Sequence, residues 1–285
     1  MGVVTDSTAM IPEDLRHRLG ITVVPARLIF GDEVYADGVD LGPDEFYQKL
    51  RESPVHPTTS QPPPGDYLRA FSDLAGRVKS ILCLTPASSL SGIYASAVQG
   101  RQLFREKFPH VPIEVLDTLT ATAAQGLLVL EAARLAQDGL PLRPICQRVG
   151  ALASRTRVFA ALDTIKYLAR GGRIGRAAEF LGTLLQIKPI VTLKDGLITP
   201  ALRVRTRAQV AEALLGFLRQ DLVSLGSAGR PHVAVMHSEA YPQARELAAK
   251  IQTDFSPAEL HLLTLTPALG VHGGPGVLGL AYYIE

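Results

Sequence analysis

Three hydrogen-bond donors in this sequence stand where the chain around them has little freedom. Thr59 lies in Ser53-Pro54-Val55-His56-Pro57-Thr58-Thr59-Ser60-Gln61-Pro62-Pro63-Pro64-Gly65, whose five prolines fix φ and remove amide donors. A hydroxyl held there is preorganised to donate, although a proline-rich surface connection has the same composition. Ser91 and Gly92 follow the apolar run Ile81-Leu82-Cys83-Leu84 and open a helical stretch. At the carboxyl end of a parallel strand, the next helix offers free backbone amides and a partial positive charge, a setting that suits an anion. Ser91 would cap that helix and Gly92 would let a ligand approach the backbone; serine also caps helices where no ligand binds. His272 precedes Gly273-Gly274-Pro275-Gly276, a turn in which the backbone can come close to another segment. A lone histidine is commonly structural, so spacing leaves both readings open at all three positions.

Donors placed in this way need a scaffold of alternating strands and helices. Val3-Val4-Thr5 reads as a short strand. A helix follows from Pro12 to Leu19, where Pro12 and Glu13-Asp14 suit an N-terminus. Ile21 to Phe30 reads as one strand, Pro43 to Leu50 as a helix, and residues 53–65 as a stiff extended loop. Then come a helix to Arg77, a strand from Ser80 to Leu84, a helix from about Ser91 and a strand from Ile113 to Leu116. Helices from Thr122 and from Pro141 to Ala153 complete this half. Strands separated by helices imply parallel βαβ units.

Beyond Arg155 the pattern changes. Val158 to Leu162 is apolar, and Thr164 to Arg170 is helical until Gly171-Gly172 breaks it. Ile187 to Leu193, Gly196 to Val204, Val233 to Met236, Leu260 to Leu265 and Leu278 to Ile284 read as strands. Lys194-Asp195-Gly196 forms a hairpin turn between the first two. The expected fold is α/β with two domains. Residues 1–155 form an N-terminal parallel-sheet domain with helices on both faces, and residues 156–285 a smaller C-terminal α/β domain with a mixed sheet.

Composition narrows the chemistry. The 285 residues are 47% hydrophobic and 20% charged, values of an ordinary globular chain with a sizeable core. A formal net charge of +2 demands no nucleic acid partner. Cys83 and Cys146 form no CxxC pair, so neither a disulfide framework nor a zinc site is expected. No metal or cofactor is implied. No glycine-rich GxGxxG turn follows a strand and no Walker lysine motif occurs, which argues against a nucleotide enzyme. The N-terminus lacks a basic region followed by an apolar one, and no run of eighteen apolar residues exists. These features predict a cytoplasmic protein with no transmembrane segment, whose contact with a membrane surface would be transient at most.

Several motifs, taken in order, resemble the DegV family. They are Thr5-Asp6-Ser7-Thr8, Thr59-Ser60-Gln61-Pro62, Ser88-Ser89-Leu90-Ser91-Gly92-Ile93-Tyr94, Leu162-Asp163-Thr164 with Gly171-Gly172-Arg173-Ile174, Ile187-Lys188-Pro189-Ile190, and His272-Gly273-Gly274-Pro275-Gly276. The resemblance implies two α/β domains with a long-chain fatty acid between them. It also implies a non-catalytic role, as the acyl-binding subunit of a fatty acid kinase whose catalytic subunit is the protein partner. Carried over residue by residue, the carboxylate would be held by Thr59, Ser91 with Gly92, and His272. Ile93 departs from the family, which usually has threonine there. Asp6 and Asp117, at strand ends, would orient neighbouring groups.

Apolar residues after Arg155 supply an expected tail lining in Phe159, Ile165, Leu168, Leu181, Leu184 and Leu185. From Lys166 to Arg207 the basic residues outnumber Glu179 and Asp195, the acids of that interval. Arg170, Arg173 and Arg203 are the expected partner-facing rim, which would attract an acidic surface. The alternative is a serine hydrolase acting on acyl esters through Ser91 and His272, with an acid such as Asp117. No GxSxG elbow surrounds Ser91, which weakens it.

Overall fold

Residues 1–180, 187–224 and 229–285 are described by the structure, a computed structural model. They divide into two compact units, Met1–Ser154 with Thr266–Ala268, and Arg155–Leu265 with Leu269–Glu285. The first unit runs β1 (Gly2–Asp6), a 3-10 turn Ser7–Ala9, α1 (Glu13–Arg18), β2 (Ile21–Val24), β3 (Arg27–Phe30), β4 (Glu33–Ala36) and α2 (Pro43–Glu52). It continues through β5 (Thr58–Ser60), α3 (Pro64–Ala75), β6 (Ile81–Thr85), α4 (Ile93–Lys107), β7 (Ile113–Asp117), α5 (Thr122–Gln137) and α6 (Leu142–Ala153). Four parallel strands in the order β2-β1-β6-β7 form its main sheet.

Both faces of that sheet are covered, as continuous apolar strands such as Ile81-Leu82-Cys83-Leu84 require. On one side Val4, Cys83 and Val115 meet Tyr67 and Phe71 of α3 and Phe104 of α4. On the other, α5 packs on β1 and β6 and α6 on β6. Cys83 is a fully buried free thiol and Cys146 a half-buried one.

The segment Ile21–Phe30 is not one strand. Pro25 has no amide to give to a ladder, and the chain changes sheets there. Val24 pairs with Asp6 in the parallel sheet, whereas Arg27 pairs with Ala36 and Ser60 in a separate antiparallel sheet, β4-β3-β5. Part of the proline-rich stretch is therefore a strand, and Thr59 lies opposite Leu28. Strand β4 carries little sequence signal of its own, because its apolar residues do not alternate with burial: Val34 is 61% exposed while Ala36 is buried.

The second unit runs β8 (Arg157–Ala161), α7 (Lys166–Arg170), a 3-10 stretch Gly175–Phe180, β9 (Lys188–Lys194), β10 (Leu197–Val204), α8 (Arg207–Ser224) and β11 (Pro231–His237). It ends with α9 (Tyr241–Phe255), β12 (Glu259–Thr264), α10 (Pro267–Gly273) and β13 (Leu278–Ile284); the first residues of α10 group with the other unit. The sheet order is β10-β9-β8-β13-β11-β12; β11 and β12 are parallel and the other pairs antiparallel, giving the mixed sheet. Asp195 (φ 52) and Gly196 (φ 74) make the tight β9–β10 hairpin with both central residues left-handed. Leu214 and Leu218 of α8, with Leu247 and Ile251 of α9, close over Val233, Val235, Leu280 and Tyr282.

Candidate functional site

The proline-rich segment of the first unit is fastened along one face of α4 by small residues four positions apart, where successive helical turns align. Gly92 lies against the amide of Gln61: a Cβ there would stand 3.0 Å from Gln61 Cδ. One turn on, buried Ser96 donates from Oγ to the carbonyl of Pro62. After another turn, a Cβ on Gly100 would stand 2.6 Å from Tyr67 Cβ and 3.0 Å from the Pro64 carbonyl oxygen. The chain from Gln61 to Tyr67 thus rests on Gly92, Ser96 and Gly100, and Thr59 leads directly into it.

Helix α4 begins at Ile93 with Gly92 at its N-cap, so Ser91 stands one residue earlier than the sequence suggested. Its Oγ accepts from the Ile93 amide at 3.3 Å and keeps its own proton for a further partner. Asp117, at the end of β7, accepts from the amides of Ser88 at 3.1 Å and Leu119 at 2.9 Å. Both carboxylate oxygens are thus engaged in holding the turn that leads to Ser91, a positioning role rather than that of a triad acid. Ile93 is buried in the core with Tyr67 and Phe71. Asp6 is fully buried and tied to Thr8 and Gln125. Burial pushes its carboxyl pKa up, and the hydrogen bonds from Thr8 and Gln125 oppose the rise.

In the second unit the His272 turn interlocks with the α7 segment at three glycines. A Cβ on Gly171 would overlap His272 Nδ1 and stand 2.8 Å from Cε1. A Cβ on Gly274 (φ +70) would strike the Tyr167 ring, and one on Gly276 (φ +81) the carboxylate of Asp163. Asp163 is itself paired with Lys188 at 2.5 Å and Arg207 at 3.5 Å. The half-buried His272 ring is therefore seated on a position that only glycine can fill.

Ser238 holds this turn from below, and nothing in the sequence marks it. Fully buried, it donates to the Gly274 carbonyl at 2.7 Å and accepts from the Val277 amide at 2.9 Å, while its carbonyl accepts from the Gly276 amide at 2.9 Å. Ser238→Ala would strand a buried carbonyl and a buried amide. We expect a loss of about 2–4 kcal/mol, read as a lower urea midpoint with an unchanged slope. A midpoint equal to wild type would show that the turn stands without Ser238.

Other expected residues are more scattered. Arg170 is exposed at the end of α7. Arg173 donates to the Gly171 carbonyl at 2.7 Å, beside the glycine turn. Arg203 lies 4.8 Å over the Phe180 ring. Ile165 and Leu168 are buried, whereas Phe159 belongs to the core beneath α8, stacked on Phe217 with centroids 4.0 Å apart. Leu181, Leu184 and Leu185 lie outside the described residues. Among the described residues, no cluster of His, Cys, Asp and Glu could hold a metal ion, and no helix is long and apolar enough to cross a membrane.

Comparison with known proteins agrees with these motifs over the full length. The model of a family described as "Uncharacterised protein, DegV family" matches residues 1–285. A DegV domain-containing protein of Clostridium perfringens is 31% identical over 283 residues, 99% of this chain and 98% of that one. A Thermus thermophilus structure titled "Fatty Acid Binding of a DegV family Protein" superposes with a TM-score of 0.92 at 33% identity, covering 100% of this chain and 99% of the other. A stearic acid-binding protein of Eubacterium ventriosum gives a TM-score of 0.92 at 27% identity, covering 100% and 98%. With its whole length matched and its motifs in order, the chain belongs to the DegV family.

Proposed function

We propose that this protein binds a long-chain fatty acid and presents its carboxylate to a separate ATP-dependent kinase, without catalysing a reaction itself. The observation that carries the reading is full-length similarity to proteins described as binding fatty acids. Thr59, Ser91 with the Gly92 backbone, and His272 are the proposed carboxylate contacts; Phe159, Ile165 and Leu168 are the described candidates for the tail. The hydroxyl of Ser91 retains a proton to donate, as a carboxylate acceptor needs. A tail of about sixteen carbons gains roughly 0.8 kcal/mol per buried CH₂, on the order of 10 kcal/mol before ordering costs. Hydrogen bonds to the carboxylate contribute about 1.5–3 kcal/mol each and mostly offset its desolvation. The tail then sets affinity and the head group sets orientation. Arg170, Arg173 and Arg203 would contribute to a basic surface facing the kinase.

Mass spectrometry of lipid extracted from freshly purified protein tests the binding. A stoichiometric long-chain acid is expected, and Thr59→Val, Ser91→Ala and His272→Ala should each weaken palmitate binding by roughly 10- to 100-fold. Protein that carries no fatty acid, and is not stabilised thermally by palmitate, would refute the reading. Acyl phosphate made from ATP and palmitate by this protein alone would refute the presenting role. Release of acid from acyl esters that Ser91→Ala abolishes would make it a hydrolase.

A further inference from the structure

We infer that Gln61 is an additional head-group residue, its side-chain amide donating to the ligand carboxylate between Thr59 and Ser91. This rests on the fatty-acid reading above and assigns that site a residue nothing else has placed there.

The geometry begins with strand period. Successive side chains of an extended segment point to opposite sides, so Thr59 and Gln61 share a face and Ser60 takes the other. Gln61 directly follows β5, and Pro62 after it disfavours the helical region, so the extended course is expected to continue through it. The far end of the side chain identifies what that face looks toward. Gln61 Cδ, Oε1 and Nε2 lie 3.0, 3.0 and 3.2 Å from where a Cβ on Gly92 would be. The Gln61 amide thus lies against Gly92, the neighbour of Ser91, and Thr59 stands two residues before it in the same unit.

Chemistry agrees with the placement. The amide of Gln61 forms no hydrogen bond among the described residues, and the side chain is exposed. A free glutamine on a surface keeps several rotamers; this one is held between a proline-restricted backbone and the Gly92 backbone, so less ordering entropy remains to be lost on binding. Its two N–H donors match an acceptor-only carboxylate, and its carbonyl can turn toward solvent. A glycine at 92 then has a second use, since any side chain there would push the amide off the turn.

Delipidated protein, palmitate and the uncharged hexadecanol provide the test. For Gln61→Ala we expect palmitate affinity to fall about 10-fold while hexadecanol binding stays as in wild type. Gln61→Glu keeps the shape but removes both donors and adds a like charge. It should lose about 100-fold for palmitate at pH 8, and much of that loss should disappear by pH 5.5 as the two carboxyl groups come to share a proton. Matching melting curves of the unliganded variants would exclude a folding effect. Gln61→Glu that binds palmitate like wild type at pH 8 would overturn the inference, as would equal losses for palmitate and hexadecanol. In both of those cases wild-type binding remains, so the fatty-acid reading survives; wild type that binds no palmitate would remove both.

Discussion

Gly171→Ala is expected to weaken palmitate binding roughly 10- to 100-fold, close to the loss from removing the His272 ring. Gly171 has φ −74 and ψ −4, right-handed helical values that alanine adopts without strain. Helix propensity on its own would favour the change by up to about 1 kcal/mol. What stands in the way is the imidazole, because the added methyl would overlap Nδ1 and lie 2.8 Å from Cε1. The ring must rotate away, and a donor displaced by an ångström loses most of a hydrogen bond whose strength depends on distance and angle. A double-mutant cycle separates this from general damage. In a His272→Ala background the Gly171→Ala change should cost little further affinity, because the group it displaces is gone. If the two losses simply add, the glycine acts on something other than His272.

Gly126→Ala should produce the largest loss of stability. A Cβ at this position would overlap the backbone carbonyl oxygen of Ala9. Helix α5 is buried from Ala123 to Ala133, so it cannot slide aside into solvent. The turn Ser7–Ala9 on which it rests is fixed from both ends. Asp6 accepts from the Thr8 amide at its start, and Met10, at φ 54, closes it with a bond to the Ser7 carbonyl. A backbone carbonyl has no rotamer to change, and an overpacked core with no compliant neighbour loses about 3 kcal/mol or more. For a unit of this size that is about a 6–12 °C drop in melting temperature by calorimetry. Gly216→Ala provides the opposite case: Gly216 lies inside α8 with nothing within 4 Å of an added Cβ. The same substitution there should raise stability by about 0.5–1 kcal/mol. A Gly126→Ala protein that melts with wild type would show that α5 and the turn can separate without cost.

Much of the fold was legible because its signals are local. The alternation of apolar runs with helical stretches foretold the parallel sheet β2-β1-β6-β7, and Lys194-Asp195-Gly196 foretold the β9–β10 hairpin from the left-handed preference of its last two residues. The family motifs marked Thr59, Ser91 and His272 as positions of interest. Where two local signals compete the sequence misleads by small amounts: serine's capping preference points to Ser91 although Gly92 holds the cap, and the apolar run Ile21–Phe30 looks like one strand although the chain changes sheets at Pro25.

The contacts that give those positions their geometry were of another kind. Ser96 and Gly100 had a faint periodic signal, falling four and eight residues after Gly92 on α4, but nothing said which chain would lie along that stripe. Ser238 had none, because a buried serine is recognised only by the carbonyl and amide it satisfies, and these come from Gly274 and Val277. Gly171 and His272 are about a hundred residues apart, and their overlap follows from packing the α7 segment against the glycine-rich turn. Propensity, period and capping act within about four residues of the chain and can be read along it. Steric exclusion and hydrogen-bond satisfaction act through space between segments brought together by the core, so only the folded chain determines which glycine must stay a glycine.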